Sequence, residues 1–322
     1  MGQFPAAPTP WMDLSTGVNP RPYPAPSAPR AARARLPDPA ETSALEDVAA
    51  AAFGVGSAGR TMAVPGSEAA LRSLARLLPA KTVAIAGPTY GSHAAAWREA
   101  GAQVQSMPCR DLASADADVV VAVNPNNPDG YRHAPEALAL IADRQAARAG
   151  WLIVDEAFVE TAPDLSVAGQ AGVGAGARLI VLRSFGKFYG LAGVRLGFVV
   201  AEPGVVAALG SVFGDWPVSA EAIAAGWAAY PDAAWRARTQ ASLARKAAQL
   251  DRLLVRAGFE IVGGASLFRL CAADDAPRRF TRLAEQGVLT RPFDVDPRWL
   301  RFGLPANRAS WARLEQALEA CP

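Results

Sequence analysis

Residues 179–200 read Leu179-Ile-Val-Leu182-Arg-Ser184-Phe-Gly-Lys187-Phe-Tyr-Gly-Leu-Ala-Gly-Val-Arg195-Leu-Gly-Phe-Val-Val200. A continuous apolar run leads into a turn of glycines and aromatic residues around one lysine, and a second apolar run follows. Apolar runs without polar alternation are strands buried on both faces. Working outward, the same signature recurs at residues 82–86, 119–123 and 151–154, with 179–182 and 196–200 flanking the lysine turn. Between these runs, residues 68–78, 92–100 and 135–149 are predicted helices, the last opened by Pro135 and closed by Gly150. Strand and helix alternate from about residue 61 to 200, which predicts an α/β unit built on a mainly parallel sheet.

After Gly204 the pattern changes to helices, including a long one over residues 233–257 that Gly258 ends. A smaller α+β region follows, with strands at 259–262 and 266–270, a helix at 278–286, a strand at 299–303 and a helix at 310–320. The proline-rich stretch 20–39 predicts an extended arm. These features suggest a large domain over residues 36–232 and a small domain built from 1–35 and 233–322.

Composition narrows the function classes. With 322 residues, 51% apolar and 19% charged, the chain can bury a large core. The net charge of +2 is spread without a basic stripe, which argues against nucleic acid and for a small-molecule partner. Cys109, Cys271 and Cys321 are far apart and odd in number, which suits a reducing cytoplasm and neither a disulfide framework nor a metal site. No signal-like start and no run of 18 apolar residues occurs, so no membrane partner is expected.

Only three lysines are present, so each can be weighed. Lys81 at a strand start and Lys246 among Arg245, Asp251 and Arg252 read as solvated. Lys187 follows a buried strand between aromatic residues, where desolvation should make its amine the nucleophile that imine chemistry needs. The alternative is a lysine whose stem merely snorkels out of an apolar loop. Asp155 ends the run Trp151-Leu-Ile-Val, at the carboxyl edge where α/β sheets bind ligands. It could hold a magnesium ion in an ATPase or pair with a protonated pyridine nitrogen. The first option lacks its phosphate loop, since Phe188 follows Lys187. Gly172-Val-Gly174-Ala-Gly176 mimics a dinucleotide fingerprint but precedes a strand, so it reads as a flexible loop. Gly66 and Ser67 open a helix and could cup a phosphate with their N–H groups, although ordinary capping explains them equally. The turn Asn124-Pro-Asn-Asn127-Pro-Asp-Gly130 follows another buried strand.

Pro65-Gly-Ser-Glu, Pro88-Thr-Tyr90, the Asn124–Gly130 turn, Asp155-Glu-Ala-Phe158, Ser184-Phe-Gly-Lys187, Arg195-Leu-Gly and Leu300-Arg301-Phe-Gly, in that order, resemble the signature of class I/II aminotransferases that use pyridoxal 5'-phosphate (PLP). The resemblance implies the PLP-dependent transferase fold of type I and a homodimer. It implies that Lys187 holds PLP as a Schiff base, Asp155 pairs with the ring nitrogen, Asn127 bonds the ring hydroxyl and Tyr90 stacks on the ring. Ser184, Arg195 and the Gly66 and Ser67 amides would hold the cofactor phosphate, and Arg301 the substrate α-carboxylate.

Within that family the chain is similar to the histidinol-phosphate aminotransferase branch. It is more similar to the branch that decarboxylates L-threonine O-3-phosphate in cobalamin biosynthesis, which implies a small phosphorylated amino acid as substrate. Transamination of histidinol phosphate or an aromatic amino acid is the alternative. Arg291, or the arm around Asn19 and Arg21, would meet the substrate phosphate. Three positions depart from the pattern: Phe158 and Leu36 stand where tyrosines are usual, and Gly186 replaces a hydroxyl residue.

Overall fold

The computed structural model describes residues 4–56, 59–172 and 174–320. They form two compact units, one of Tyr23–Asn127 and Tyr131–Trp235, the other of residues 4–22, Pro128–Gly130 and 236–320. In chain order the strands of the first half are β1 (Met12–Asp13), β2 (Arg60–Val64), β3 (Thr82–Gly87), β4 (Gln103–Pro108), β5 (Val119–Val123) and β6 (Trp151–Asp155). The rest are β7 (Leu179–Ser184), β8 (Gly197–Ala201), β9 (Glu260–Ala265), β10 (Phe268–Ala272), β11 (Val288–Leu289), β12 (Arg291–Pro292) and β13 (Trp299–Gly303).

The larger unit holds a seven-stranded sheet in the order β2-β8-β7-β6-β5-β3-β4. Only β8 runs against its neighbours β7 and β2, so the sheet is mainly parallel, as expected. Every residue of β5 and β6 is buried, which is why those segments read as unbroken apolar runs. On one face, Leu71 and Leu74 of helix Ser67–Leu77 and Trp97 of helix Gly91–Glu99 pack with Ile85, Val121 and Ile153. Each such aliphatic side chain contributes roughly 1.5–3 kcal/mol on burial. The sequence reading missed β2 and β4, and both are edge strands. In β4 only Val104 and Met107 are half-buried and the rest are exposed, so no continuous apolar run marks it.

The arm over residues 20–39 is not extended throughout. A helical turn, Arg30–Arg33, interrupts it, and the helix Pro39–Phe53 starts at its end. That helix had a readable signal in Asp38 and Glu41. Asp38 Oδ1 accepts from Ala40 N (2.8 Å) and Glu41 Oε2 accepts from Asp38 N (3.1 Å), which caps the first turn. Gly174–Arg178 forms short helical turns, while Val173 in the same glycine-rich stretch lies outside the described residues.

The smaller unit carries an antiparallel sheet in the order β12-β13-β10-β9, and β1 pairs in parallel with β11. The expected strand at 299–303 is β13, and the expected hairpin is β9 with β10. Most of the long helix Ala233–Arg256 belongs to this unit, with helices Ala276–Glu285 and Arg308–Glu319. Lys246 is not a fully solvated residue. It is half-buried, and desolvation, followed by the charge of Arg21, lowers its pKa. Cys109 and Cys271 are buried and outside any disulfide among the described residues; Cys321 lies outside the described residues. No described helix is long and apolar enough to cross a membrane.

Candidate active site

Three adjacent parallel strands bring the chemistry of the larger unit to one edge. Asp155 at the end of β6 lies opposite Val123 of β5 and Leu182 of β7. Side chains alternate along a strand, so Leu182, Ser184 and Asp155 point to one side of the sheet and Arg183 to the other. There Arg183 Nη1 meets the buried carboxylate of Glu156 at 2.7 Å and its Nη2 pairs with Glu160. Burial alone would lower the Arg183 pKa, but Glu160 and Glu156 outweigh it and hold the guanidinium charged. The ion bridge ties the end of β7 to the loop after β6.

The Asp155 carboxylate is buried and oriented from two sides. Its Oδ1 accepts from Ala157 N (3.0 Å), and its Oδ2 lies 3.0 Å from His93 Nε2. A carboxylate only accepts, so the proton of the second contact belongs to His93. Each oxygen keeps a further lone pair for a ligand N–H. The sequence reading missed His93. It sits on the buried face of helix Gly91–Glu99, one turn after Tyr90, and that helix position was its only signal. The ring of Tyr90 stands edge-on to His93, centroids 6.3 Å apart. Tyr90 stays 42% exposed, open to a stacking partner. Burial, opposed by a bond with Ser92 and aided by Glu68, raises the pKa of its hydroxyl.

The lysine turn begins as β7 ends. Phe185–Phe188 makes one helical turn, and Tyr189 is stacked between Phe185 (4.5 Å, 17°) and Trp235 (5.6 Å, 11°). Lys187 is half-buried, its Nζ 5.9 Å from the centroid of the buried Phe158 ring. A phenyl ring cannot donate the hydrogen bond that a tyrosine would supply at this position. Gly186 has a packing reason, because a Cβ there would stand 2.6 Å from Ala192 Cα. A hydroxyl residue at 186 cannot coexist with this turn.

Gly66 adopts φ +88° at the start of helix Ser67–Leu77. The expectation that its N–H faces a phosphate needs correction, since Gly66 N donates to Val64 O at 2.6 Å. The unbonded first-turn donors of this helix start at Ser67. What Gly66 contributes is room: a Cβ there would lie 2.7 Å from Arg195 Nη2, so the guanidinium rests directly over it. Gly197 is needed for the same reason, because a Cβ would reach within 2.5 Å of Ser67 N. In the Asn124 turn, Asn124 exchanges two 3.0 Å bonds with the backbone of His133. Asn126 bonds Pro88 O and Thr89 Oγ1 (2.9 and 2.6 Å). These two asparagines hold the turn, and Asn127 is half-buried beside them.

In the smaller unit, Arg301 of β13 lies directly opposite Arg291 of β12. Arg301 is 8% exposed, and Arg291 is exposed. Desolvation, then the charge of Arg291, lowers the Arg301 pKa to about 10. Asn19 is buried, with its Oδ1 accepting from Arg21 N at 3.0 Å.

Comparison with known proteins adds to this geometry. Residues 10–320 match the family described as aminotransferase class I and II. A threonine-phosphate decarboxylase from a Sinorhizobium species is 43% identical over 97% of this chain and 92% of its own length. The threonine-phosphate decarboxylase of Pseudomonas aeruginosa is 38% identical over 96% of this chain and 91% of its own. Among solved structures, the histidinol-phosphate aminotransferase of Sinorhizobium meliloti in complex with pyridoxal-5'-phosphate superposes with a TM-score of 0.82. It is 20% identical, over 96% of this chain and 91% of the other, a likeness of fold.

Proposed function

The chain belongs to the class I and II aminotransferase family, and from that premise we propose that it is a PLP-dependent decarboxylase. Its substrate is L-threonine O-3-phosphate and its product (R)-1-amino-2-propanol O-2-phosphate, a step of cobalamin biosynthesis. The observation that carries the substrate assignment is the cross-strand pair Arg291–Arg301. Like charges directly opposite one another are destabilising in a sheet, and burying one of them adds to the cost. A ligand with two anionic groups offsets that cost, and threonine phosphate carries a carboxylate and a phosphate. Similarity to two decarboxylases of that name supports the same reading.

The residues of the larger unit suit the cofactor. Arg195 over the Gly66 gap, the first-turn N–H of Ser67 and the hydroxyl of Ser184 supply cationic and neutral donors for a phosphate. Asp155, oriented by His93, accepts the pyridine N–H, Asn127 donates to the ring hydroxyl, Tyr90 covers the ring face and Lys187 supplies the amine. PLP, when bound, supplies the electron sink for the bond broken at Cα. Arg301 grips the substrate's α-carboxylate and Arg291 its phosphate. After carbon dioxide leaves, Lys187 Nζ returns a proton to Cα. A homodimer in the cytoplasm completes the proposal, in keeping with the family resemblance and with two buried cysteines outside any disulfide.

The deciding experiment incubates the holoenzyme with L-threonine O-3-phosphate and follows both products. Release of carbon dioxide with aminopropanol phosphate is expected. A 2-oxo acid, formed only when an amino acceptor is added, would make the enzyme a transaminase instead.

A further inference from the structure

Groups of its own unit hold Arg301 from two sides. Its Nη2 donates to the Ser15 carbonyl at 2.6 Å, and its guanidinium carbon lies 5.1 Å from the centroid of the Phe268 ring. The segment that carries Ser15 is itself fastened. Met12 and Asp13 pair with Val288 and Leu289, and Leu14 N donates to Leu289 O at 2.8 Å. The Leu14 carbonyl accepts from Gly303 N at 2.6 Å, two residues beyond Arg301. Gly303 allows this approach, because a Cβ there would lie 2.5 Å from Thr16 O.

Asp13 closes the turn. Its Oδ1 accepts from Ser15 N (2.8 Å) and from Ser15 Oγ (2.6 Å). The peptide between Leu14 and Ser15 is therefore held at its N–H by Asp13 and at its carbonyl by Gly303. The next carbonyl, that of Ser15, issues from a fixed point toward Arg301.

A guanidinium can grip an anion with two parallel N–H groups, either from Nη1 and Nη2 or from Nε and Nη2. Nη2 belongs to both pairs and has one N–H in each. A carbonyl bonded at Nη2 therefore fixes the rotation of the guanidinium and so the direction in which its N–H pairs point. We infer that Asp13, acting through the Ser15 carbonyl, is a positioning residue that sets the orientation in which the Arg301 guanidinium meets the substrate's anionic group. The inference rests on the assignment of Arg301 to the substrate made above.

The test is a double-mutant cycle on the holoenzyme, with KM and kcat for L-threonine O-3-phosphate and the melting temperature measured for every variant. Asp13 is exposed, so its replacement should leave folding intact. Asp13→Ala should raise KM by roughly three- to tenfold, the scale of one hydrogen bond, with kcat little changed. Asp13→Asn keeps an acceptor for both Ser15 bonds and should restore KM. In an Arg301→Ala background, Asp13→Ala should add nothing, because the two act in series. Equal effects of Asp13→Ala in both backgrounds, or none in either, would overturn the inference and leave a large Arg301→Ala effect standing. An unchanged KM in Arg301→Ala itself would remove the substrate assignment and the inference together.

Discussion

The two units solve different electrostatic problems. In the larger one, charged and polar groups sit at the ends of fully buried parallel strands, and each is satisfied locally. Asp155 has His93 and the Ala157 amide, and Arg183 has Glu156 and Glu160. In the smaller unit, two arginines face each other on paired strands and the buried one bonds a backbone carbonyl. In the proposed function the first arrangement serves a resident cofactor and the second a passing anionic substrate, so variants in the two units should have separable effects.

The contrast breaks most completely at Lys187. Lys187→Ala should lose roughly 10²–10⁴-fold in kcat from the missing proton-transfer group alone. Borohydride reduction of the unaltered holoenzyme followed by peptide mapping should label this lysine. A label on Lys81 or Lys246 instead would overturn the site.

Asp155→Asn should still bind PLP, seen as its visible absorbance, yet lose most activity, since a neutral side chain no longer holds the ring proton. Activity within about threefold of the parent, less than 1 kcal/mol of barrier, would reduce Asp155 to a structural role. His93→Phe keeps the packing and removes one bond to the carboxylate. A smaller loss of about tenfold in kcat, with KM unchanged, is expected from a hydrogen bond to a charged group.

In the smaller unit the signature should move to KM. Arg291→Ala should raise KM for threonine phosphate by roughly tenfold or more, the scale of a charge-assisted bond, and change unphosphorylated threonine little. Equal losses on both substrates would assign Arg291 to folding or to the carboxylate and turn attention to Asn19 and Arg21.

The mildest effect is on pH. Arg301 has its pKa lowered to about 10, mainly by desolvation. Its charge is complete well below that pH and is lost as pH rises through it. KM should therefore climb above about pH 10, and the gap between the parent and Arg301→Ala should close there. A constant gap up to pH 11 would show that the bound anion keeps Arg301 fully charged.

How much was legible in sequence follows burial. Strands β5, β6 and β7 announced themselves because burial on both faces demands unbroken apolar runs, and the residues at or just past their ends, Asn124, Asp155 and the lysine turn, could be placed at one edge. Edge strands β2 and β4 carry no such demand and went unread. The Gly66 amide was misassigned because a backbone hydrogen bond to Val64, two residues away, leaves no mark on residue identity. His93 was silent because a histidine on a helix face gains its meaning only from the carboxylate 62 positions later.

By itself, then, the sequence determined the α/β class and the ordered motifs of the family and singled out Lys187 as the candidate for imine chemistry, since those depend on local pattern and neighbouring residues. The tertiary structure alone decided which groups meet. Strand register set Arg291 against Arg301 and turned Arg183 away from Ser184, and close packing required Gly186 and Gly197. The reason is physical: a side chain's chemistry is written in its type, but its partners depend on distances between segments that the order of residues does not contain.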